Sequence, residues 1–570
     1  MESNYRTTDI EDTLTESKPT IIDETKLKCC MKDLISLVNE YAVNHEITNS
    51  YIDKTLNQLK HKYKICPSKS QLRYVYEKHI DYFGSILNQV LERYLIKKSV
   101  RSRSGVYVAT IVLRPDVFSC PKKCSYCPTE TDLNGKPTQP KSYLSSETAM
   151  LRALRYNFDV RGQLCDRIKS YIKTGNIIES SGSKKMEIIL SGGTWESYPY
   201  DYRNQVMTEL YWAANTWNLP RPITTIENEI AINETAEYRI IGLTIETRPD
   251  FVTNQAIRDY CKWGVTRVQL GVQHYSDDIL DGINRECHTV DLIKTLRKLK
   301  QCGFKVVCHL MPDLPKSSPE LDKWMFDQAL TNSDVFFDDV KIYPTAVCKS
   351  DNPNLLVKSD ISDWYYDGSY VPYAETNLNK LIEVLKYYKT RVQPWVRIQR
   401  LVRDIPKQSI LAGYEGISNL RQIIQNQMNK EGTTCKCIRC MEIGDNNTTI
   451  NTPNLVVRQY TASGGQEYHI SIESNEKSSV FSFDYWSWVW FLIIYYWIMI
   501  FYGRKTYWSG NLKTYNGLVG FCRFRIDENP GGGFIKELAN CGLIREVHVY
   551  GHALGVGTSK NMSESSQHKG

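Results

Sequence analysis

Three cysteines, Cys120, Cys124 and Cys127, fall inside the eight-residue core of "SCPKKCSYCPTE", which sets three thiolates in one short loop. A structural zinc site is normally closed by four ligands, and no fourth Cys or His lies nearby. Three thiolates suit a [4Fe–4S] cube better, because they leave one iron without a protein ligand, and that iron can hold a substrate or cofactor. A second set, Cys435, Cys437 and Cys440, stands in "CKCIRC". C-x-C-x2-C is too cramped for disulfides among its members and suits a tetrahedral metal with a fourth ligand from elsewhere, the alternative being a buried, unmetallated trio. The remaining cysteines, Cys302 and Cys308 among them, read as small buried hydrophobes.

The elements that must position the first set are short β-branched runs: "GVYVATIVLRP", "KKMEIILSGGT", "IIGLTIETRPD", "TRVQLGVQ", "KVVCHLMPDLP" and "DDVKIYPT". Helical patterns such as "SSETAMLRALRYNF" and "TVDLIKTLRKLKQCG" separate them. Strand, helix, strand in succession predicts an α/β fold with a parallel sheet, and six such strands predict an incomplete barrel over 105–410. Chemistry in a parallel barrel sits where the strands end. The cysteine loop follows the first strand, Gly192 and Gly193 the second, Glu246 and Arg248 the third, Gln273 the fourth, His309 and Asp313 the fifth, and Lys341 the sixth. After a linker over 411–452, the runs "LVVRQYTASGGQEYHISIE", "GLVGFCRFRI" and "IREVHVYG" alternate with period two, as antiparallel strands do, and predict an α+β domain over 453–570.

At 570 residues the chain exceeds a single core, and a prior of about 150 residues per domain gives two to four. Seventeen cysteines do not signal a secreted disulfide scaffold here, because the acidic, polar N-terminus lacks a basic and then apolar leader. The reading is reduced, metal-binding thiols in the cytoplasm. Residues 1–27 read as an acidic disordered tail and 28–104 as helices. Lys54 to Arg103 holds twelve Lys or Arg against three acids, interleaved with aromatics and closing on Lys97, Lys98, Arg101 and Arg103. That mixture fits phosphate contacts plus base stacking, the footprint of an RNA binder, or else a solvated helical face. Residues 485–502, "YWSWVWFLIIYYWIMIFY", carry no charge. Their length could just span a bilayer, yet they sit between strands expected to pair, so the reading is an inserted apolar hairpin or interfacial segment, with membrane contact as the minority alternative.

C-x3-C-x2-C after the first strand of a partial barrel, with Tyr126 just before Cys127, resembles the radical S-adenosylmethionine (SAM) superfamily. "SGGTWESYP", "GLTIETRPD", "RVQLGVQ", "INRECHTV", "GFKVVCHLMPDLP", "KIYPT", "VRIQRLVRDIP" and "REVHVYG" stand in the order and spacing of the Elongator catalytic subunit and its stand-alone tRNA carboxymethyluridine synthase relatives. The resemblance covers about 55–480 and 515–570. It implies that Cys120, Cys124 and Cys127 ligate a [4Fe–4S] cluster and that an adenosyl radical, acetyl-CoA and the tRNA wobble uridine together yield carboxymethyluridine. It further implies that Gly192, Gly193, Glu246, Arg248 and Gln273 line the S-adenosylmethionine pocket, that Lys341 points a cation at substrate, and that Cys435, Cys437 and Cys440 bind zinc. Read singly, the glycines are also an ordinary turn, and Arg248 a barrel-mouth salt bridge.

The last domain resembles a GNAT-type acetyltransferase, which binds the coenzyme pyrophosphate at a Q-x-x-G-x-G/A turn entering a helix. Gln567 and Gly570 open that motif at the end of the sequence. The expectation is an incomplete GNAT-like domain with poor acetyl-CoA affinity, completed by further Elongator-like subunits or a second copy. The alternative function is a cluster-containing tRNA-binding protein.

Overall fold

The computed structural model describes residues 23–67, 69–83, 89–95, 105–118, 120–173, 177, 184–219, 221–414, 417, 419–443, 454–474 and 517–550. Lys97, Lys98, Arg101, Arg103, the apolar run 485–502, Gln567 and Gly570 lie outside the described residues. The chain divides into two compact units, one of residues 1–102 with 168–180, the other of 103–167 with 181–570.

The first unit is helical: α1 (Glu24–Ala42), α2 (Asn49–Tyr63) and α3 (Lys69–Lys78). Apolar residues three and four apart put Leu27, Met31, Leu34, Ile35 and Val38 of α1 against Ile52, Leu56 and Leu59 of α2. Helix starts before residue 28, because the Asp23 carboxylate accepts the Thr25 N–H at 2.9 Å and caps α1; residues 1–22 of the expected tail lie outside the described residues. Asp33 ties the two helices together by accepting from Lys62 Nζ and the Tyr63 hydroxyl, both at 2.7 Å.

The second unit is built on a parallel sheet of seven strands. These are β1 (Val106–Val112), β2 (Lys184–Ser191), β3 (Tyr238–Thr247), β4 (Arg267–Gln273), β5 (Lys305–Leu310), β6 (Asp339–Ile342) and β7 (Arg397–Arg400), hydrogen-bonded in chain order. Six strands were expected. The seventh, "RIQR", carries no β-branched run that would announce it, and it pairs with β6 through a register shift at Ile398/Arg400. Crossover helices start at capped positions: Thr253 accepts from Ala256 N–H at 3.1 Å, and Ser318, before Pro319, accepts from Leu321 N–H at 3.3 Å.

Buried parallel strands are usually apolar on both faces. Here β4, β5 and β6 alternate, and their polar side chains meet across the strands. Lys341 Nζ donates to Gln269 Oε1 at 2.5 Å, His309 Nε2 stands 2.9 Å from the same oxygen, and Lys305 pairs with Asp339 at 3.0 Å. Arg267 pairs with Glu187 of β2.

A four-stranded antiparallel sheet follows: β8 (Asn454–Ala462), β9 (Gly465–Ser474), β10 (Gly517–Ile526) and β11 (Leu543–Val549). The β8–β9 hairpin turns through Ser463 (φ 48°) and Gly464 (φ 76°), the left-handed pair a two-residue hairpin requires. Its charged face is the buried one. Arg545 reaches Asp338 at 2.6 Å and Glu467 at 3.0 Å, Glu546 takes Lys305 at 2.6 Å and Arg523 at 2.8 Å, and Arg545 also donates to the Phe304 carbonyl at 2.8 Å. These partners open β5 and β6, so the sheet packs at the strand starts, the end opposite the cysteine loop. On the other face Leu455, Val457, Ile544 and Val547 are more than half exposed. Among the described residues no helix is long and apolar enough to cross a membrane.

Candidate active site and metal centres

The loop after β1 is pinned by its backbone. Ser125 N–H donates to the Ile283 carbonyl at 2.9 Å, Asn284 Nδ2 to Ser125 Oγ at 2.9 Å, and Cys127 N–H to the Cys124 carbonyl at 3.0 Å. Two guanidiniums converge on Cys124: Arg248 Nη1 stands 3.2 Å and Arg285 Nη1 3.5 Å from its sulfur. Arg248 is further fixed by Asp250, at 2.9 Å, and by the Arg285 carbonyl, at 2.7 Å. Arg285 is held between Asn284 (φ 52°) and Glu286 (φ 49°), both left-handed. Burial works against ionising Cys124, but the charges of Arg285 and Arg248 outweigh it and hold the thiol below its usual value. Cys127 is pushed up to about 11 by burial and by the Cys124 charge.

This loop fits a cube better than a single ion. Among the described residues, the one group of three His, Cys, Asp or Glu ligand atoms within 4.8 Å of one another is Cys435, Cys437 and Cys440. The thiols of Cys120, Cys124 and Cys127 do not form such a group, and a cube takes its thiolates on separate irons. Two arginines beside one of them suit the negative charge of a thiolate-bound cluster.

The other predicted residues gather at the same strand ends. Gly193 is left-handed (φ 87°), and a Cβ on Gly192 would lie 2.4 Å from the Tyr198 hydroxyl oxygen, so this turn admits only glycine. Gln273, the last residue of β4, is also left-handed (φ 72°), and its buried Oε1 has no hydrogen-bond partner among the described residues. Glu246 accepts from the Tyr143 hydroxyl, and Arg403 lies over the Tyr143 ring at 5.0 Å. Lys341 is buried, which pushes its ammonium down to about 8 against the pull of Glu246. His309 is held well below its usual value by burial and then by Lys341, and is a neutral imidazole. Asp313 is engaged by backbone. It accepts the Tyr373 and Ala374 N–H groups at 2.7 and 3.0 Å and ties down the start of a short helix.

Cys435, Cys437 and Cys440 sit in and beside a turn of helix, Ile438–Met441. Cys437 is held well below the usual thiol value because Cys435 and Cys440 donate to its sulfur. Three buried or half-buried sulfurs this close fit a tetrahedral zinc.

Comparison with known proteins agrees with this geometry. Residues 117–325 match the Radical SAM superfamily and 337–430 the Radical SAM C-terminal domain. A tRNA uridine(34) acetyltransferase of Methanocaldococcus infernus is 33% identical over 471 residues, covering 81% of this chain and 82% of its own length. The chain belongs to the tRNA uridine(34) acetyltransferase family. Elongator complex protein 3 of Schizosaccharomyces pombe is 32% identical over 485 residues, covering 82% of this chain and 77% of that one. The solved structure of the archaeal Methanocaldococcus infernus Elp3, with residues 1–46 deleted, matches with a TM-score of 0.59 at 30% identity over 79% of this chain and 84% of that one.

Membership of this tRNA uridine(34) acetyltransferase family carries with it the radical SAM cluster and S-adenosylmethionine. Three residues of the site escaped the sequence reading. Arg285 lies inside the motif "INRECHTV", and Tyr143 opens the run "YLSSETAMLRALRY", so both stood next to a signal. Gln269 had only its place on the polar side of "RVQLGVQ", a parity no single residue reveals.

Proposed function

We propose that this chain modifies C5 of the tRNA wobble uridine, with S-adenosylmethionine at a [4Fe–4S] cluster and acetyl-CoA as carbon donor. The observation that carries it is the three-cysteine loop, flanked by Arg248 and Arg285, at the strand ends of a family-matched barrel. When bound, the cluster and S-adenosylmethionine supply one-electron chemistry for hydrogen abstraction. Cys120, Cys124 and Cys127 hold the cluster, and Arg248 and Arg285 offset its charge. Gly192 and Gly193 let backbone approach the cofactor, and Glu246 and Gln273 offer it polar contacts. Lys341 presents a cation to substrate inside a site whose burial excludes water. The β8–β11 sheet is the acetyl-CoA domain, Cys435, Cys437 and Cys440 hold zinc, and the free thiols suit a cytoplasmic setting.

Mass spectrometry of wobble nucleosides after incubation with reductant, S-adenosylmethionine, acetyl-CoA and tRNA tests this reading. Carboxymethyluridine that depends on all four supports it. Cofactor cleavage and tRNA binding without any C5 product would favour the binding-protein alternative.

Cofactor cleavage that depends on tRNA should show an alkaline limb near pH 8, because Lys341, pushed down to about 8, is a cation below that pH and neutral above it. Lys341→Arg keeps the charge to beyond about pH 12 and should remove the limb. A limb that stays in place would take Lys341 out of the substrate contact.

Lys54, Lys62 and Lys64 are exposed on and just after α2. Replacing all three by alanine should weaken tRNA binding and reduce the slope of log affinity against log salt by roughly one for each phosphate no longer neutralised. An unchanged slope returns this face to plain solvent exposure.

A further inference from the structure

Helix Leu378–Arg391 carries two lysines three residues apart, and the structure treats them differently. Lys386 is paired twice, with Glu383 at 3.0 Å and Glu431 at 2.5 Å. Lys389 is fully buried and has no carboxylate partner among the described residues; its ammonium lies 3.7 Å from the sulfur of Cys440. The neighbouring Arg439 donates to the Gln399 carbonyl and acts on Cys437 through its charge. A buried ammonium without a counter-charge is strongly destabilising. The thiolate trio is the anion within its reach.

A divalent ion held by three thiolates has one net negative charge, which a single lysine neutralises. A fourth thiolate would leave a buried excess of negative charge. Resting on the zinc reading above, we infer that Lys389 is the counter-charge of the Cys435, Cys437 and Cys440 metal centre, whose fourth ligand is neutral rather than a fourth thiolate. Lys389 is a positioning residue. It touches a ligand sulfur, not the metal, and acts by making the three-thiolate form of the site electrically neutral in a dry environment.

The test uses the full chain with its iron–sulfur cluster loaded. Zinc affinity is measured by chelator competition for the wild type, Lys389→Met and Lys389→Arg, and zinc-edge X-ray absorption counts the sulfurs in the wild type. The expected results are one tightly held zinc with three sulfurs and one lighter neighbour, a loss of roughly 10- to 100-fold in affinity for Lys389→Met, and near-wild-type affinity for Lys389→Arg. Unchanged affinity in Lys389→Met overturns the counter-charge, and four sulfurs overturn the neutral fourth ligand even if that variant fails to fold. A wild-type chain that binds no zinc defeats the zinc reading itself, and the inference with it.

Discussion

Replacing Cys120, Cys124 and Cys127 together by alanine should bring bound iron from about four per chain, the content of one cube, to background, and remove the visible absorbance with it. The effect is all or none because the loop has no substitute ligands nearby: among the described residues, the one close set of three ligand atoms is the separate Cys435, Cys437 and Cys440 group. A milder pair of variants tests the arginines. Arg248→Met and Arg285→Met each leave the sulfurs in place but remove one of the two guanidiniums at Cys124, at 3.2 and 3.5 Å. Each should raise the Cys124 thiol toward its ordinary value and make the cluster easier to lose. Iron retained by the triple variant would put the ligands elsewhere. Cluster retention unchanged in both arginine variants would reduce those residues to a salt bridge at the barrel mouth.

Arg545→Met should be the most damaging single substitution outside the cluster. It leaves Asp338 and Glu467 buried, and truncating one member of a buried ion pair typically costs about 3–5 kcal/mol. Arg525, at 3.0 Å from Glu467, and Arg523, at 3.7 Å from Asp338, remain as partial partners and set the lower end of that range. The damage should be local. Protease cleavage within 454–550 should rise steeply while iron content holds. Cleavage no faster than in the wild type would mean that the β8–β11 sheet stands without this ion pair. The pH dependence follows from Asp338 and Glu546. Burial works against their charges, but Arg545 and Arg523 outweigh it for Asp338, and Lys305 and Arg523 outweigh it for Glu546, so both carboxyls lie below the usual range. Acids depressed in the folded state contribute stability that is present above the ordinary carboxylate pKa and lost as pH falls through the folded value. Two buried histidines of the same sheet are held below the usual imidazole value by burial, His469 well below it and His548 down to about 4. Attachment of the sheet should therefore begin to weaken as pH falls below about 6.5 and fail in strong acid, where Asp338 and Glu546 also take up protons.

The parallel strands that hold the cysteine loop were readable because each is a β-branched run closed by glycine, proline or a polar cluster, and the loop because its spacing is local. "RIQR" was not readable as a strand, since it is four residues long with arginine at both ends, and its place is set by pairing with β6. Arg285 reaches Cys124 across a sequence separation of 161 residues, which no spacing within one motif can encode.

By itself the sequence determined that a three-thiolate loop follows the first strand of a parallel α/β sheet and that an antiparallel sheet comes after it, whereas the need for glycine at 192–193 is set by the left-handed turn and the Tyr198 hydroxyl. Periodicity and local spacing suffice for the loop and the sheets. Only the tertiary structure decided which face of that last sheet is inside. Period two gives two faces but no sign, and burial of the apolar one is the usual choice. Here Arg458, His469, Arg523 and Arg525 are buried while Leu455, Val457, Ile544 and Val547 stand in part in solvent. The reason is that Lys305 and Asp338 at the strand starts supply counter-charges to Glu546, Arg523 and Arg545, while Asp339 pairs with Lys305, and the pairings with the sheet join residues far apart in the chain.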